Sequence, residues 1–154
     1  SVTLLDAMRL AADRDTIALQ YVGDFNLIFQ SGSTFLSHAA SLQCPWEEAI
    51  VNLHLRLMAD HPDTLIARKC GAEVAQLSSR KAQDVLGANW PDTELSQTLM
   101  HDLDTWLRAD GHRRNPGTTA DLVAAALFAA FRDGDLPLPS LETILGGNFN
   151  GDSV

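Results

Sequence analysis

Apolar residues recur at three- and four-residue spacing along almost the whole chain, and no stretch keeps the strict alternation of a strand. Leu4, Leu5, Met8 and Ala12 share one side of a predicted helix over 3–13, with Thr3 as its N-cap and Asp6 at the capping-box position. Ile17, Tyr21, Phe25 and Ile28 continue at the same spacing, as a second helix or as the far limb of one bent helix. Gly32 and Ser33 break that pattern. Cys44, Pro45, Trp46, Glu47 and Glu48 open another helix, with proline near its start and carboxylates at the positive end of its dipole; its stripe is Trp46, Ile50, Leu53, Leu57 and Met58.

His61 and Pro62 stop that helix. Asp63 caps a short one through Lys69, and Cys70–Gly71 is a hinge into a helix over 72–86. After a break at Trp90, Pro91 and Asp92, Leu95, Leu99, Leu103 and Leu107 recur every four residues, with Trp106 beside them. Asn115, Pro116 and Gly117 form a turn, with Gly117 a candidate for positive φ. Thr118 can cap the next helix, with Asp121 completing an acidic capping box, and Leu122 to Phe131 is an unbroken apolar run. The pattern predicts an all-α fold: a compact multi-helix domain over 1–134 around a buried, Ala-rich central helix. An irregular tail follows over 135–154, with one helical turn at Leu141–Leu145.

With 154 residues the chain has the length of one domain, and its net charge of −9 argues against nucleic acid or an anionic membrane as the main partner. Positive charge is therefore informative where it gathers. Of eleven Lys and Arg, five lie in two short stretches, as Arg68 and Lys69 and as Arg108, Arg113 and Arg114. Basic pockets in an acidic protein suit a small polyanion. The two cysteines, Cys44 and Cys70, lack metal-ligand spacing, and no secretory leader or membrane span is legible, so a cytoplasmic location is expected. The chain lacks an initiator Met and starts at a helix entrance, which suggests a fragment or a processed protein.

The segment from Asp110 to Leu122 joins a basic pair, a turn and a helix start. Amides at a helix N-terminus and two guanidiniums suit phosphate, but the same arginines can instead cap the C-termini of neighbouring helices. In the segment 61–71, Asp63 can bind Mg²⁺ and Arg68–Lys69 clamp phosphate, or Asp63 can be a plain N-cap and the basic pair dipole partners. Asp110 and Asp121 are further single-carboxylate candidates for Mg²⁺. Arg14 and Asp15 form a structural tie or a ligand-facing pair. His54 interrupts an apolar stripe and reads as a core residue, whereas His112 lies inside the basic loop, where it can help to neutralise phosphate. A P-loop, a dinucleotide-binding glycine pattern and a nucleophile elbow are all missing.

Arg14 to Tyr21, Pro62 to Gly71 and Asp110 to Leu122 resemble, in wording and in order, the triphosphoribosyl-dephospho-CoA synthase family. The resemblance runs from near the first residue to about Gly134 and covers only the C-terminal half of the family fold. It implies an all-helical transferase that uses ATP as a ribosyl donor, transfers a triphosphoribosyl unit to 3′-dephospho-CoA and releases adenine, with Mg²⁺ accompanying the nucleotide. Arg68, Lys69, His112, Arg113, Arg114, Asn115, Gly117, Thr118 and Thr119 would then hold the nucleotide and its phosphates. Asp63, Asp110 and Asp121 would be the catalytic acids, with Asp63 and Asp121 as Mg²⁺ ligands, supported by Arg14, Asp15 and Tyr21. The implied partners are the nucleotide and a CoA-like acceptor, with self-association or association with the family's N-terminal half. The wording is equally close to a branch linked to methanopterin and one-carbon metabolism, with a different acceptor. A non-catalytic nucleotide-binding or assembly domain is the alternative from another class.

Overall fold

The structure, a computed structural model, describes residues 2–136. The expected turn at Leu141–Leu145 and all of the tail beyond Leu136 lie outside them. Among the described residues there are eight α-helices and one π-helical segment and no strand, so the fold is all-α. In order, these are α1 (Leu4–Arg9), α2 (Thr16–Val22), the π-helical segment (Leu27–Ser33), α3 (Thr34–Ser41), α4 (Trp46–Asp60), α5 (Thr64–Cys70), α6 (Ala72–Gly87), α7 (Glu94–Arg108) and α8 (Gly117–Arg132).

The fold is organised around α4, because its two faces serve different cores. Leu53 and Leu57 pack with Leu36, Leu122 and Ala126 between α3, α8 and the π-helical segment. Leu55 and Met58 pack with Val85 and Leu103 between α6 and α7. Each of these buried leucines contributes about 1.5–3 kcal/mol by leaving water. Trp46, at the start of α4, stacks on Phe131 near the end of α8 with ring centroids 5.5 Å apart.

Several sequence expectations change here. Residues 3–28 do not form one bent helix: Leu10 to Arg14 separate α1 from α2. The Thr3–Asp6 capping box is present, with Asp6 N–H donating to Thr3 Oγ1 at 3.2 Å and Thr3 N–H to Asp6 Oδ2 at 3.0 Å. The apolar stripe of α1, however, stays open, with Leu4 61% exposed, because α1 packs mainly on α2. Gly32 and Ser33 do not interrupt the helix. They are the last two residues of the π-helical segment, both buried, and α3 continues directly from them.

Gly32 is needed for approach to α8, because a Cβ there would sit 2.5 Å from that of Ala126. The central helix α8 buries Leu122, Val123, Ala126, Ala129 and Ala130, but it is not enclosed all round. Phe128 is 69% exposed, and Ala120, Asp121 and Ala124 also face solvent. No helix among the described residues is long and apolar enough to cross a membrane.

Candidate functional site

The three polar motifs, far apart in sequence, meet at the N-termini of α2, α5 and α8. Asp63, the N-cap of α5, accepts hydrogen bonds at Oδ1 from the amides of Leu65 (2.9 Å) and Ile66 (3.0 Å). Its Oδ2 accepts from the amide of Thr119 (2.8 Å) and from Thr119 Oγ1 (2.9 Å) in the first turn of α8. Thr64 Oγ1 accepts from the amide of Thr16 at the start of α2 (3.3 Å) and lies 3.1 Å from Thr118 Oγ1. Thr118 Oγ1 in turn accepts from the amide of Leu65 (3.2 Å). On α2, Asp15 Oδ1 takes the amides of Ile17 (2.9 Å) and Ala18 (3.2 Å). Three positive helix ends converge in this hub, and the carboxylates of Asp15 and Asp63 offset them.

Beside the hub opens a cleft of about 450 Å³, lined by Ala11, Arg14, Asp15, Thr64, Ala67 and Arg68. Arg14 and Arg68 are exposed. Neither takes part in the ion pairs found among the described residues, which join Asp6 to Arg9, Asp104 to Arg108 and Arg132 to Asp133. Two arginines without an acidic partner among the described residues, together with Asp15 and Thr64, therefore line the same space. Such a wall suits several phosphate oxygens at once.

The loop after α7 has another role. Asp110, Gly111 and His112 are all left-handed, with φ of 59°, 61° and 61°. Asp, Gly and His are among the residue types most often found in that region. The turn sends Arg113 to the end of α5, where Nη2 donates to the carbonyl of Lys69 (2.9 Å), and the thiol of Cys70 lies 3.6 Å from the carbonyl of Arg113. Arg114 Nη1 donates to the carbonyl of Trp106 in the last turn of α7 (2.9 Å), and its guanidinium lies 4.6 Å from the Trp106 ring centroid. Both arginines thus serve helix C-termini, the second of the two readings their position allowed.

Replacing both arginines by Ala is accordingly expected to lower stability by about 1–2 kcal/mol and to leave affinity for inorganic tripolyphosphate unchanged. Urea unfolding and a calorimetric titration read the two effects separately. A loss of affinity at unchanged stability would return the pair to the phosphate site.

Other expected site residues lie elsewhere or have different partners. The N-cap of α8 is Pro116, so Thr118 and Asp121 do not form a capping box. Thr118 is turned towards α5, Asp121 is exposed, and a side chain 56 residues away caps the helix instead. Gly117 does not have positive φ; its missing side chain admits Leu65, whose Cδ2 would lie 2.5 Å from a Cβ there. Tyr21 is 39% exposed and packs edge-on against Phe25. Lys69 and Asp110 are exposed. Asp63 and Asp121 do not fit a Mg²⁺ pair: the first is 1% exposed, with both oxygens already accepting two hydrogen bonds, and the second is on the open face of α8. No group of three or more His, Cys, Asp or Glu that could hold a metal occurs among the described residues.

A second cavity, of about 280 Å³, lies between α4, α7 and the 110–116 loop. Ile50, Met58, Leu103 and Leu107, read from the sequence only as apolar stripes, are among its walls, and His54, His112 and Asn115 also line it. Burial pushes the pKa of His54 below its ordinary value, although the negative charge of Asp63 acts in the opposite direction. Periodicity could not reveal this space, because a stripe that packs and a stripe that lines a void have the same spacing.

The family model described as "CitG: ATP:dephospho-CoA triphosphoribosyl transferase" matches residues 1–138. Among solved structures, a crystal structure of a candidate triphosphoribosyl-dephospho-CoA synthase from Archaeoglobus fulgidus superposes with a TM-score of 0.71 at 30% sequence identity. The match covers 88% of this chain and 55% of that one, so the chain spans little more than half the length of that relative. No curated protein matches.

Proposed function

The chain belongs to the ATP:dephospho-CoA triphosphoribosyl transferase family, and from that premise we propose that it carries the triphosphate-holding part of a transferase acting on ATP and dephospho-CoA. In the proposed reaction the bond between adenine and the ribose anomeric carbon of ATP breaks. An acceptor hydroxyl oxygen of dephospho-CoA bonds to that carbon, and the hydroxyl proton is balanced by protonation of the leaving adenine. Positive charge develops on the ribose, so the protein's main task is to fix the triphosphate and align the acceptor.

The observation that carries this reading is the cleft beside the three helix N-termini, where Arg14 and Arg68 have no acidic partner among the described residues. Both would bind phosphate oxygens, with Thr64 on the same wall. Asp15, whose second oxygen is uncommitted, is the acid best situated to accept the acceptor proton or to face the cationic ribose. Asp63 instead positions the wall of the cleft. Mg²⁺ accompanying ATP finds no cage of side chains among the described residues, and no step is assigned to it.

The test is a calorimetric titration with inorganic tripolyphosphate and with ATP, on the wild type and on Arg14→Ala with Arg68→Ala. The double variant is expected to bind at least about tenfold more weakly, or 1.4 kcal/mol, with an unchanged melting temperature, because neither arginine has a side-chain hydrogen bond or ion pair among the described residues. Unchanged affinity would overturn the assignment. Binding of both ligands without adenine release in the presence of dephospho-CoA would favour a nucleotide-binding domain over a transferase.

A further inference from the structure

We propose that the cavity between α4 and α7 is a separate binding site for an uncharged, purine-sized heteroaromatic ring. The choice of adenine as that ring rests on the reaction proposed above.

The cavity is electrically neutral where the cleft is not. Arg108 Nε donates to both carboxylate oxygens of Asp104 at 2.8 Å, so the positive charge on this wall is already paired with a negative one. Most of the lining is apolar, and Met58 of α4 and Met100 of α7 are part of it. Thioethers are adaptable and make favourable contacts with aromatic rings. A volume of about 280 Å³ is close to the lower end of small-molecule sites, enough for one bicyclic base and too small for a whole nucleotide.

Polar groups of the right kind border this apolar space. His54 is half-buried and its imidazole makes no hydrogen bond to another described residue; the charged group acting on it is Asp63. Burial favours the neutral ring, which offers one N–H donor and one bare nitrogen acceptor. The Asn115 carboxamide, also on the lining, offers the same two functions. Adenine carries an exocyclic amine beside ring nitrogens, and donor–acceptor pairs of this type are its complement. The cavity also adjoins the hub: Pro116 lines it and is the N-cap of α8, whose Thr118 meets Thr64 on the wall of the cleft. The base site thus borders the start of α8, and the phosphate site borders the start of α5, to which α8 is tied.

The experiment uses the full chain, titrated calorimetrically with free adenine and, separately, with inorganic tripolyphosphate. Met100→Trp fills the cavity and His54→Leu removes its buried polar group; Leu107→Phe is a second filling variant should Met100→Trp fail to fold. Adenine is expected to bind the wild type and the Arg14→Ala, Arg68→Ala chain alike. In His54→Leu and in the filled variants, adenine affinity should fall at least about tenfold while tripolyphosphate affinity is kept. No adenine binding to the wild type, or adenine binding untouched by these variants, overturns the site. Displacement of adenine by pantetheine at lower concentration would also overturn it, by making the cavity a site for the acceptor's arm. If adenine binds as expected but tripolyphosphate does not, the base site stands and the assignment of the arginine cleft fails.

Discussion

An Asp63→Ala chain is expected to lose about 3–5 kcal/mol of stability in urea unfolding. The side chain is 1% exposed, and each oxygen takes two hydrogen bonds, from α5 on one side and α8 on the other. Truncation strands the amides of Ile66 and Thr119 and the Thr119 hydroxyl where water cannot reach them easily, leaves the Leu65 amide only Thr118 Oγ1, and removes the caps of two helices together. Asp63→Asn separates charge from shape. Its one remaining acceptor oxygen can serve α5 or α8 but not both, and its NH₂ group confronts donors on the other side, so about half of the loss should persist. Asp121→Ala is the control, expected within about 0.5 kcal/mol because that residue is exposed and makes no hydrogen bond to a described side chain. A loss below about 1 kcal/mol in Asp63→Ala would refute the two-helix clasp.

The second large effect concerns Gly32. Helix propensity alone favours replacing a helical glycine with Ala by about 1 kcal/mol. Packing opposes it and should win. A Cβ at position 32 would sit 2.5 Å from Ala126 Cβ and 3.3 Å from the carbonyl of Leu27, and Ala126 is fully buried in α8. Neither obstacle is the free end of a side chain, so α8 and the π-helical segment must separate. Gly32→Val is therefore expected to cost about 3 kcal/mol, and Gly32→Ala about 1–2 kcal/mol net of propensity. Adding Ala126→Gly to Gly32→Ala should recover part of the loss, the signature of a direct contact in a double-mutant cycle. Gly117→Ala gives the opposite case. Its equally short contact is with the end of Leu65, which can rotate away, so a change below about 1 kcal/mol is expected. Equal losses at the two glycines would refute this distinction.

What was legible in the sequence was local. Asp63 as a cap, Gly71 as the hinge and the limits of α4 to α7 follow from periodicity and punctuation within a few residues. What was misread was set by distant partners. Gly32 and Ser33 have the composition of a break, yet close approach to Ala126 calls for the same small residues inside a continuous helix. Thr118 and Asp121 have capping-box spacing, but Asp63 reaches the first turn of α8 from 56 residues away and displaces the local solution. Arg113 and Arg114 seek oxygen acceptors, and a phosphate and a helix C-terminus both supply them, so only geometry chooses. The order of the motifs showed that they belong together. It carried no information that Arg14 and Arg68 would line one cleft while the basic pair of the loop bonds helix carbonyls.

The clasp at Asp63 also bears on how the neighbouring cleft meets a ligand. Because one carboxylate holds the first turns of α5 and α8, and Thr64 ties the start of α2 to both, none of these helix ends is free to fray by itself. The backbone wall is thus preorganised before an anion arrives. At the proposed site, ordering upon binding would then be confined to the two arginine side chains, at about 0.5–1.5 kcal/mol each, and most of their electrostatic attraction would appear as affinity.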